Sequence, residues 1–282
     1  MTINTTLPGY RLKKDISNGN IVPLIGVHDV FSASIAARHF NGIFVSGFSF
    51  AASFYGLPDI GFIAWSDIVA FAQRLRTLLP EHHIIVDIDD GYCDPEVACH
   101  VVRQLEMLGA SGVVLEDQQR PRKCGHLEGK QIMELDAYLE KLKQVLASRK
   151  DMLIVARTDA TNEEEAIRRA HAFAKAGADA ILVEAVKNID VLKELHNTID
   201  TPLVFNQIAG GKSPSMDLEE LQKTGISLVN YSTPTLFAAQ RAVEDSIKDL
   251  AINKGMLPNV GATVQSCNHL LEQNLAGLSL PK

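Results

Sequence analysis

The sequence lacks several patterns that mark common classes of protein. Its 282 residues include four cysteines and no Cys-x-x-Cys pair, which argues against a zinc knuckle or a disulfide framework and fits a reducing cytoplasm. No apolar run approaches the ~20 residues of a membrane span, and Met1 to Lys14 lack the apolar core of a signal peptide. We therefore expect a cytoplasmic protein without a membrane partner.

Positive charge is also scarce. Lysine and arginine together number 27 against 34 aspartates and glutamates, which gives a net charge of −7. This balance argues against nucleic acid or an anionic membrane as a partner, because both attract basic surfaces. It leaves an anionic small-molecule substrate open, because the local charge of a site can oppose that of the whole chain.

Hydrophobic residues make up 46% of the chain and fall in short, recurring runs. The runs are continuous rather than alternating, as expected for parallel strands that are buried on both faces. Helical patterns separate them. We predict strands at Ile21–Val27, Gly42–Ser46, Ile84–Asp87, Gly112–Leu115, Met152–Ala156, Ala180–Val183, Pro202–Asn206 and Leu228–Tyr231, and helices at Pro95–Leu108, Asn162–Ala176, Asp217–Lys223 and Thr235–Ile252.

Eight strands alternating with helices predict a single (β/α)8 TIM barrel over residues 1–282, with a short C-terminal helical extension from about residue 245. Asp94 and Asn162 stand where helix N-caps are expected, and Gly109 and Gly177 stand at helix ends. A doubly wound open sheet is the alternative. That fold usually has a glycine-rich turn after its first strand, and here Val27-His28-Asp29-Val30 contains no glycine.

Polar residues stand at the C-terminal ends of six predicted strands, where active sites of barrels are found. A single acid at a strand end would mean little, but six convergent groups are hard to explain by structure alone. The groups are Ser46-Gly47, Asp87-Ile88-Asp89-Asp90-Gly91, Glu116-Asp117, Arg157-Thr158-Asp159, Glu184 and Asn206.

Asp87 and Asp89 are two residues apart, so an extended chain would direct both carboxylates to one side. With Glu116 they form an oxygen-rich set suited to Mg²⁺, partly through waters. The structural alternative is that an acid caps the next helix or pairs with an arginine of the barrel. We prefer that alternative for Asp90 and Asp94.

Arg157 stands among these acids. Its planar fork suits bidentate capture of a substrate carboxylate. It could instead be a structural partner of Glu184 or Asp159. The two roles are compatible, because an orienting acid would fix the fork.

Cys124 lies in the segment Arg122-Lys123-Cys124-Gly125-His126, after the fourth strand. We expect the local positive charge to lower the pKa of its thiol. Such a thiol can protonate a developing carbanion as a general acid, with His126 assisting. The alternative is a basic surface loop that holds a small residue.

Two further motifs are assigned no function. Residues 206–213, NQIAGGKS, nearly match a phosphate-binding loop, but asparagine replaces the first required glycine. The pair His82-His83 precedes a strand at the opposite end of the barrel, so we expect no metal site there.

Taken in order, these residues resemble the isocitrate lyase and phosphoenolpyruvate mutase superfamily over roughly residues 10–245. The matching segments are VSG, GLPD, D-x-D, LED, KCGH, ARTDA, VEA and a later asparagine. The KCGH element, Lys123 to His126, resembles the lyase branch, and the mutase branch typically lacks its Cys-Gly-His. Ser46–Asp59 and Gly210–Pro214 look most like the petal death protein, 2,3-dimethylmalate lyase and oxaloacetate hydrolase-like members.

The resemblance implies roles for individual residues. It implies that Mg²⁺, with Mn²⁺ as an alternative ion, is positioned by Asp87, Asp89 and Glu116. It also implies a mobile loop on which Cys124 is the proton donor, and a homotetramer built from dimers that exchange the eighth helix. The catalytic set would be Cys124, His126, Lys123, Arg157 and Asp59, and the substrate-binding set Ser46, Gly47, Phe48, Arg157, Glu184 and Asn206.

The expected activity is cleavage of a carbon–carbon bond in a small 2-hydroxy di- or tricarboxylate of the 2-alkylmalate or methylisocitrate type, or of oxaloacetate. The products would be a 2-oxo acid or oxalate and a carboxylic acid. One alternative is a P–C enzyme of the phosphonopyruvate hydrolase or phosphoenolpyruvate mutase type. Another is a non-catalytic barrel that binds 2-oxo acids. Asp90, Cys93 and residues 207–209 depart from the family pattern and leave the exact substrate open.

Overall fold

The computed structural model describes residues 7–257 and 261–281. Its eight parallel strands form a closed barrel in which each strand pairs with the next along the chain and the eighth pairs with the first. The strands are β1 (Val22–Val27), β2 (Gly42–Val45), β3 (His83–Asp87), β4 (Gly112–Glu116), β5 (Leu153–Thr158), β6 (Ala180–Val183), β7 (Leu203–Asn206) and β8 (Ile226–Tyr231).

Helices surround the barrel and close its lower end. They are α1 (Pro8–Ser17), α2 (Val30–Ala36), α3 (Gly47–Phe50), α4 (Trp65–Leu78), α5 (Pro95–Met107), α6 (Leu135–Ser148), α7 (Glu163–Ala176), α8 (Asp190–Thr198), α9 (Leu218–Lys223), α10 (Pro234–Ile252) and α11 (Val264–Asn274). A π-helical turn, Ala51–Tyr55, follows α3 directly. None of the helices in the described ranges combines the length and apolar character that a membrane crossing requires.

The predicted TIM barrel is confirmed, and every predicted strand lies within two residues of an observed one at each end. Asn162 caps α7 by accepting from the Glu165 amide at 2.9 Å, and Gly177 ends that helix with a φ of 95°. The cap predicted for Asp94 is wrong in part. Asp94 occupies the N-cap position of α5, but its side chain accepts no hydrogen bond from the helix. Residues 1–6, 258–260 and 282 of the predicted domain lie outside the described residues.

The barrel interior has two layers, because residues i and i+2 of a strand point to the same face. The lower layer is an apolar cluster to which Leu12 and Ile16 of α1 contribute, so α1 covers the N-terminal end. The next inward residue of six consecutive strands is polar. These pairs are Phe44 and Ser46, Ile85 and Asp87, Val114 and Glu116, Val155 and Arg157, Leu182 and Glu184, and Val204 and Asn206.

The two C-terminal helices are the least packed elements of the described chain. Neither α10 nor α11 has a buried residue within the described ranges. Apolar side chains of α10 face outwards, with Val243 59%, Ile247 60% and Ile252 66% exposed. Beyond α11 the chain returns to the barrel, where the Leu278 amide donates to the Leu78 carbonyl at 2.9 Å.

Candidate active site

The polar ends of β2–β7 meet at one rim, as predicted from their positions in the sequence. All six inward residues are buried: Ser46, Asp87, Glu116, Arg157, Glu184 and Asn206. Each follows an apolar interior residue by two positions, so strand alternation alone brings these groups to the barrel mouth. The rim therefore collects three carboxylates, one guanidinium, one amide and one hydroxyl.

Asp87 and Asp89 share one face, but an extended backbone is not the reason. Asp89 has a φ of 51°, in the left-handed region. A β-carbon built on Gly47 would lie 3.1 Å from Asp89 Oδ1 and 3.3 Å from Asp87 Oδ2. The turn after β3 thus brings the two carboxylates together against the α-carbon of Gly47. A side chain at residue 47 would meet both carboxylates.

Arg122 lies at the centre of the acidic group, and no pattern in the sequence indicated this position. Its guanidinium is 1% exposed. Its Nε donates to Glu116 Oε1 at 2.8 Å, its Nη1 donates to Asp59, and its Nη2 lies 3.3 Å from Asp89 Oδ1. One buried cation therefore binds three acids, including two of the predicted metal ligands and the predicted catalytic Asp59.

Burial favours the protonated forms of these carboxyl groups. It raises the pKa of Asp87 and, more strongly, that of Asp89, although Arg157 and Arg122 oppose the shift at Asp87 and Arg122 opposes it at Asp89. Burial also raises the pKa of Glu116 to about 7, against the opposing effect of Arg122 and Arg157. Neither Asp89 oxygen accepts a hydrogen bond from a described residue.

These features fit a divalent cation, which would satisfy the Asp89 oxygens and favour ionised carboxylates. No three His, Cys, Asp or Glu side chains of the described chain already form a direct ligand set. Glu116 in particular is engaged by Arg122. The residues therefore match an ion held by few carboxylates and several waters, which is the usual mode for Mg²⁺.

Arg157 is oriented by an acid. Asp159 accepts from Arg157 Nε at 2.9 Å and from Nη2 at 3.1 Å. Glu116 Oε2 lies 3.3 Å from Nη2, and Glu184 Oε2 lies 3.7 Å from Nε. Nη1 has no hydrogen-bond acceptor among the described residues. The structural partnership with Asp159 thus holds, and it leaves the Nη1 edge for a ligand.

The segment 118–132, which we name the Cys124 loop, leaves β4 and returns to α6. An antiparallel bridge between Gln118 and Ile132 closes its base. The Gln118 side chain donates to the Lys123 carbonyl at 2.8 Å and accepts from the Lys123 amide at 2.9 Å. A β-carbon on Gly125 would lie 2.4 Å from both Arg157 Nη2 and Glu184 Cγ. Glycine therefore allows the loop backbone to approach the rim closely.

His126 connects the Cys124 loop to two other parts of the site. Its Nδ1 accepts from the Lys212 amide at 2.9 Å, so its Nε2 carries the hydrogen in the neutral ring. That Nε2 lies 3.1 Å from Glu184 Oε1. The glycine-rich segment that resembled a phosphate-binding loop thus serves here as a backbone support for His126.

The predicted lowering of the Cys124 pKa is wrong. Burial raises the pKa of this thiol to about 11, and the charges of Asp59 and Glu184 act in the same direction. Lys123 does not offset them, because its ammonium points outwards and donates to the Glu128 carbonyl at 3.4 Å. The thiol is therefore protonated at neutral pH, which suits a proton donor and not a nucleophile.

The remaining predicted substrate-binding residues lie near the same rim. Asn206 Nδ2 donates to Glu184 Oε1 at 2.8 Å, and Asn206 Oδ1 accepts from the Ser232 hydroxyl at 2.6 Å. Ser46 caps α3 by accepting from the Ser49 amide at 3.3 Å. Phe48 contacts Phe237 edge to face, with ring centres 6.2 Å apart. Ser232 was not predicted, because β8 ends in residues without charge.

Asp90 has the structural role that we preferred for it. Its carboxylate accepts two hydrogen bonds from Arg120, both of 2.8 Å, and its carbonyl accepts one of 2.9 Å from Lys141. These contacts fix the turn that carries Asp89. Arg120 also lies on the Cys124 loop, so the turn after β3 and the loop are held together by Asp90 as well as by Arg122.

Comparisons with known proteins identify the family of the chain. Residues 12–251 match the family model of phosphoenolpyruvate phosphomutase. The chain is 37% identical over 234 residues to the petal death protein of Dianthus caryophyllus, covering 80% of this chain and 73% of that protein. It is 35% identical over 240 residues to 2-methylisocitrate lyase of Bacillus subtilis (strain 168), covering 83% and 78%.

A solved structure of oxaloacetate acetylhydrolase with the inhibitor 3,3-difluorooxalacetate has a TM-score of 0.88 to this chain. The two are 26% identical, and the match covers 97% of this chain and 98% of the other. The family model spans most of the chain, and the named lyase is more than 30% identical over most of its length. The chain therefore belongs to the phosphoenolpyruvate mutase/isocitrate lyase superfamily and is an enzyme of its carbon–carbon lyase type.

Proposed function

We propose that this enzyme is a Mg²⁺-dependent lyase for a small 2-hydroxy di- or tricarboxylate of the 2-alkylmalate or methylisocitrate type, or for oxaloacetate. The products are a 2-oxo acid, or oxalate, and a carboxylic acid. The observation that carries the proposal is the placement of Cys124. Its half-buried, protonated thiol is held on a loop that packs directly against Arg157 and Glu184.

Asp87, Asp89 and Glu116 would hold the metal, with Mn²⁺ as an alternative ion. When bound, the ion supplies a Lewis acid for the 2-oxygen and the adjacent carboxylate of the substrate. Asp87 and Asp89 are the groups best placed for it, because both carboxylates meet at Gly47. Arg122 keeps Glu116 and Asp59 in fixed positions beside them.

Arg157 binds a substrate carboxylate through its Nη1 edge. The guanidinium is permanently charged and oriented by Asp159, so little conformational entropy is lost when the anion binds. Glu184 and Asn206 extend this binding surface, and their mutual hydrogen bond fixes the direction of the amide. His126, which faces Glu184, links that surface to the Cys124 loop.

Cys124 supplies the proton that the departing carbon needs. Cleavage requires a base to take the proton of the 2-hydroxyl group, and it leaves an electron pair on the departing carbon, to which the protonated thiol donates its proton. For oxaloacetate, a water molecule first adds to the 2-oxo carbon and provides this hydroxyl group. The thiolate that results lies near Arg157, whose charge favours it. The packed loop excludes water from the carbanion, which prevents competing reactions.

The test is a panel of 2-alkylmalates, methylisocitrate, isocitrate and oxaloacetate, assayed with Mg²⁺ for release of 2-oxo acid or oxalate. We expect turnover of at least one member, its loss in EDTA, and restoration by Mg²⁺ or Mn²⁺. Cys124→Ser should lower kcat by about 10²- to 10⁴-fold while binding of oxalate persists. Cys267→Ser is the matched control, because Cys267 is an exposed thiol on α11.

Three results would contradict the proposal. Unchanged turnover in Cys124→Ser would remove the acid role of the thiol. Release of phosphate from phosphonopyruvate, followed by ³¹P NMR, with no turnover of the carboxylate panel would favour the P–C class of enzyme. Tight oxalate binding without turnover of any compound would instead favour a binding protein.

We further infer a homotetramer formed by dimers that exchange the eighth helix. The support is α10, which stands at the position of the eighth helix and leaves Val243, Ile247 and Ile252 exposed. Burial of these side chains against a second copy would remove apolar surface from water. Light scattering should give four times the 30.8 kDa chain mass, and a monomer mass would refute the assembly.

A further inference from the structure

Lys130 lies on the returning arm of the Cys124 loop, two residues before the bridge that closes the loop. Its side chain is 2% exposed, and its ammonium donates to Asp159 Oδ1 at 2.9 Å. A buried ammonium without an acceptor would be strongly unfavourable, so this pairing with Asp159 determines where the arm lies. The proposed reaction gives this lysine no direct role.

Asp159 is the acceptor for two cations at once. The same Oδ1 that accepts from Lys130 also accepts from Arg157 Nη2 at 3.1 Å. Burial alone would raise the pKa of the Asp159 carboxyl, but Arg157 and Lys130 together lower it below its ordinary value. The carboxylate is also fixed from behind, because the Asp159 amide donates to Asp117 Oδ1 at 2.9 Å.

Lys130 weakens the electrostatic attraction between Arg157 and the neighbouring Asp159. Four acids attract the Arg157 guanidinium electrostatically: Asp159, Glu184, Glu116 and Asp87. Without the lysine, the full charge of Asp159 would act on the guanidinium and would also repel an incoming substrate anion. With the lysine, part of that charge is offset, while the two hydrogen bonds from Asp159 still orient the fork.

We propose that Lys130 is a positioning residue for the reaction. It offsets the charge of Asp159, so that Arg157 keeps both its orientation and its capacity to bind a substrate carboxylate. This role rests on the proposed function of Arg157. Because Lys130 and Cys124 belong to one loop, the same ion pair also joins the proton-donating loop to the carboxylate-binding arginine.

The test compares Lys130→Met and Lys130→Arg with the wild-type enzyme. The matched control is Lys187→Met, because Lys187 is an exposed lysine that lines the same cavity as Lys130. Two quantities are measured: kcat and KM for the substrate found in the panel, and the Kd of oxalate in the presence of Mg²⁺, which requires no turnover. Circular dichroism confirms that each variant is folded.

We expect Lys130→Met to raise KM and the oxalate Kd by about tenfold or more, with kcat changed less than about threefold, because the loss is in anion binding. Lys130→Arg, which keeps the charge, should restore both constants to within about threefold of wild type. Lys187→Met should behave as wild type. Lys130→Gln keeps a donor for Asp159 without the charge, and it replaces Lys130→Met if that variant does not fold.

Unchanged KM and oxalate Kd in a folded Lys130→Met or Lys130→Gln would overturn the role of Lys130. Equal impairment of Lys130→Arg and Lys130→Met would overturn it too, because charge would then not matter. If the wild-type protein neither turns over a panel compound nor binds oxalate, the proposed function fails, and the role of Lys130 fails with it.

Discussion

The lower and upper layers of the barrel interior are made by the same strands with the same alternation and are both buried, yet they differ in polarity. The lower layer is apolar and sealed by α1, with Ile85 fully buried. The upper layer, two residues further along, is charged and equally buried. Burial of the apolar lower layer stabilises the folded state. Burial of the upper layer destabilises it, because ionised groups are removed from water. The fold is thus stabilised below the site that it carries.

Removal of Arg122 is expected to have the largest effect on stability, because it leaves the upper layer with uncompensated acids. Arg122→Met should lower the free energy of unfolding by about 3–5 kcal/mol, since three buried carboxylates lose their common partner. The measurement is urea denaturation in EDTA. Arg168→Met is the control, because its pair with Glu165 is exposed and such pairs contribute roughly 0–1 kcal/mol. Similar losses in both variants would contradict a special role for Arg122.

In the lower layer, truncation should affect stability through packing alone. Ile85 is 0% exposed. It is the inward-facing residue of β3 that comes two positions before Asp87. Ile85→Ala should lower the free energy of unfolding by about 2–5 kcal/mol, because it removes buried methyl groups and leaves a cavity. The same denaturation experiment measures this loss. A folded variant should retain its turnover, and a change confined to turnover would show that the two layers are not separable in this way.

Much of this division could be predicted from the sequence, for reasons that the particular residues make clear. Continuous apolar runs marked the strands, because parallel barrel strands are buried on both faces. Asp87, Glu116, Arg157 and Glu184 could be placed at one rim, because each follows such a run directly.

The contacts between loops could not be predicted. Arg122 follows Pro121 in a segment without periodicity, and its three acids come from three separate parts of the chain. The environment of Cys124 was mistaken for the same reason. Cys124 is adjacent to Lys123 in the sequence. In the fold, its thiol is instead subject to the charges of Asp59 and Glu184, and the Lys123 side chain points outwards.

The pH dependence of stability offers a sharper comparison. Burial raises the pKa of Asp117 from 3.8 to about 6, and the nearby Asp159 acts in the same direction. Ionised Asp117 therefore lowers stability. That loss is absent below about pH 4, develops as the pH rises from about 4 to 6, and is complete above 6, where the folded state has also lost its proton.

Asp117→Asn tests this sign. As the pH falls from 7 to 4, the wild-type protein should regain up to about 3 kcal/mol of unfolding free energy relative to the variant, since one pKa unit corresponds to about 1.4 kcal/mol. Urea denaturation in EDTA at several pH values gives the difference. A difference that stays constant with pH would mean that Asp117 is not a source of destabilising charge.

The smallest expected effect is also the one with the opposite sign to core truncation. Asp87 follows Ile85 on β3 by two residues, and burial raises the pKa of its carboxyl. Asp87→Asn removes the buried charge and keeps the shape, so in EDTA the variant should be as stable as wild type or up to about 1 kcal/mol more stable. Its turnover with Mg²⁺ should nevertheless be lost.

If Asp87→Asn were destabilised as much as Ile85→Ala, the carboxylate would be part of what holds the barrel together. Greater stability with lost turnover would instead mean that the Asp87 carboxylate destabilises the fold and is present because catalysis requires it. The end of β3 would then carry a residue required by catalysis two positions beyond Ile85, a residue required by packing.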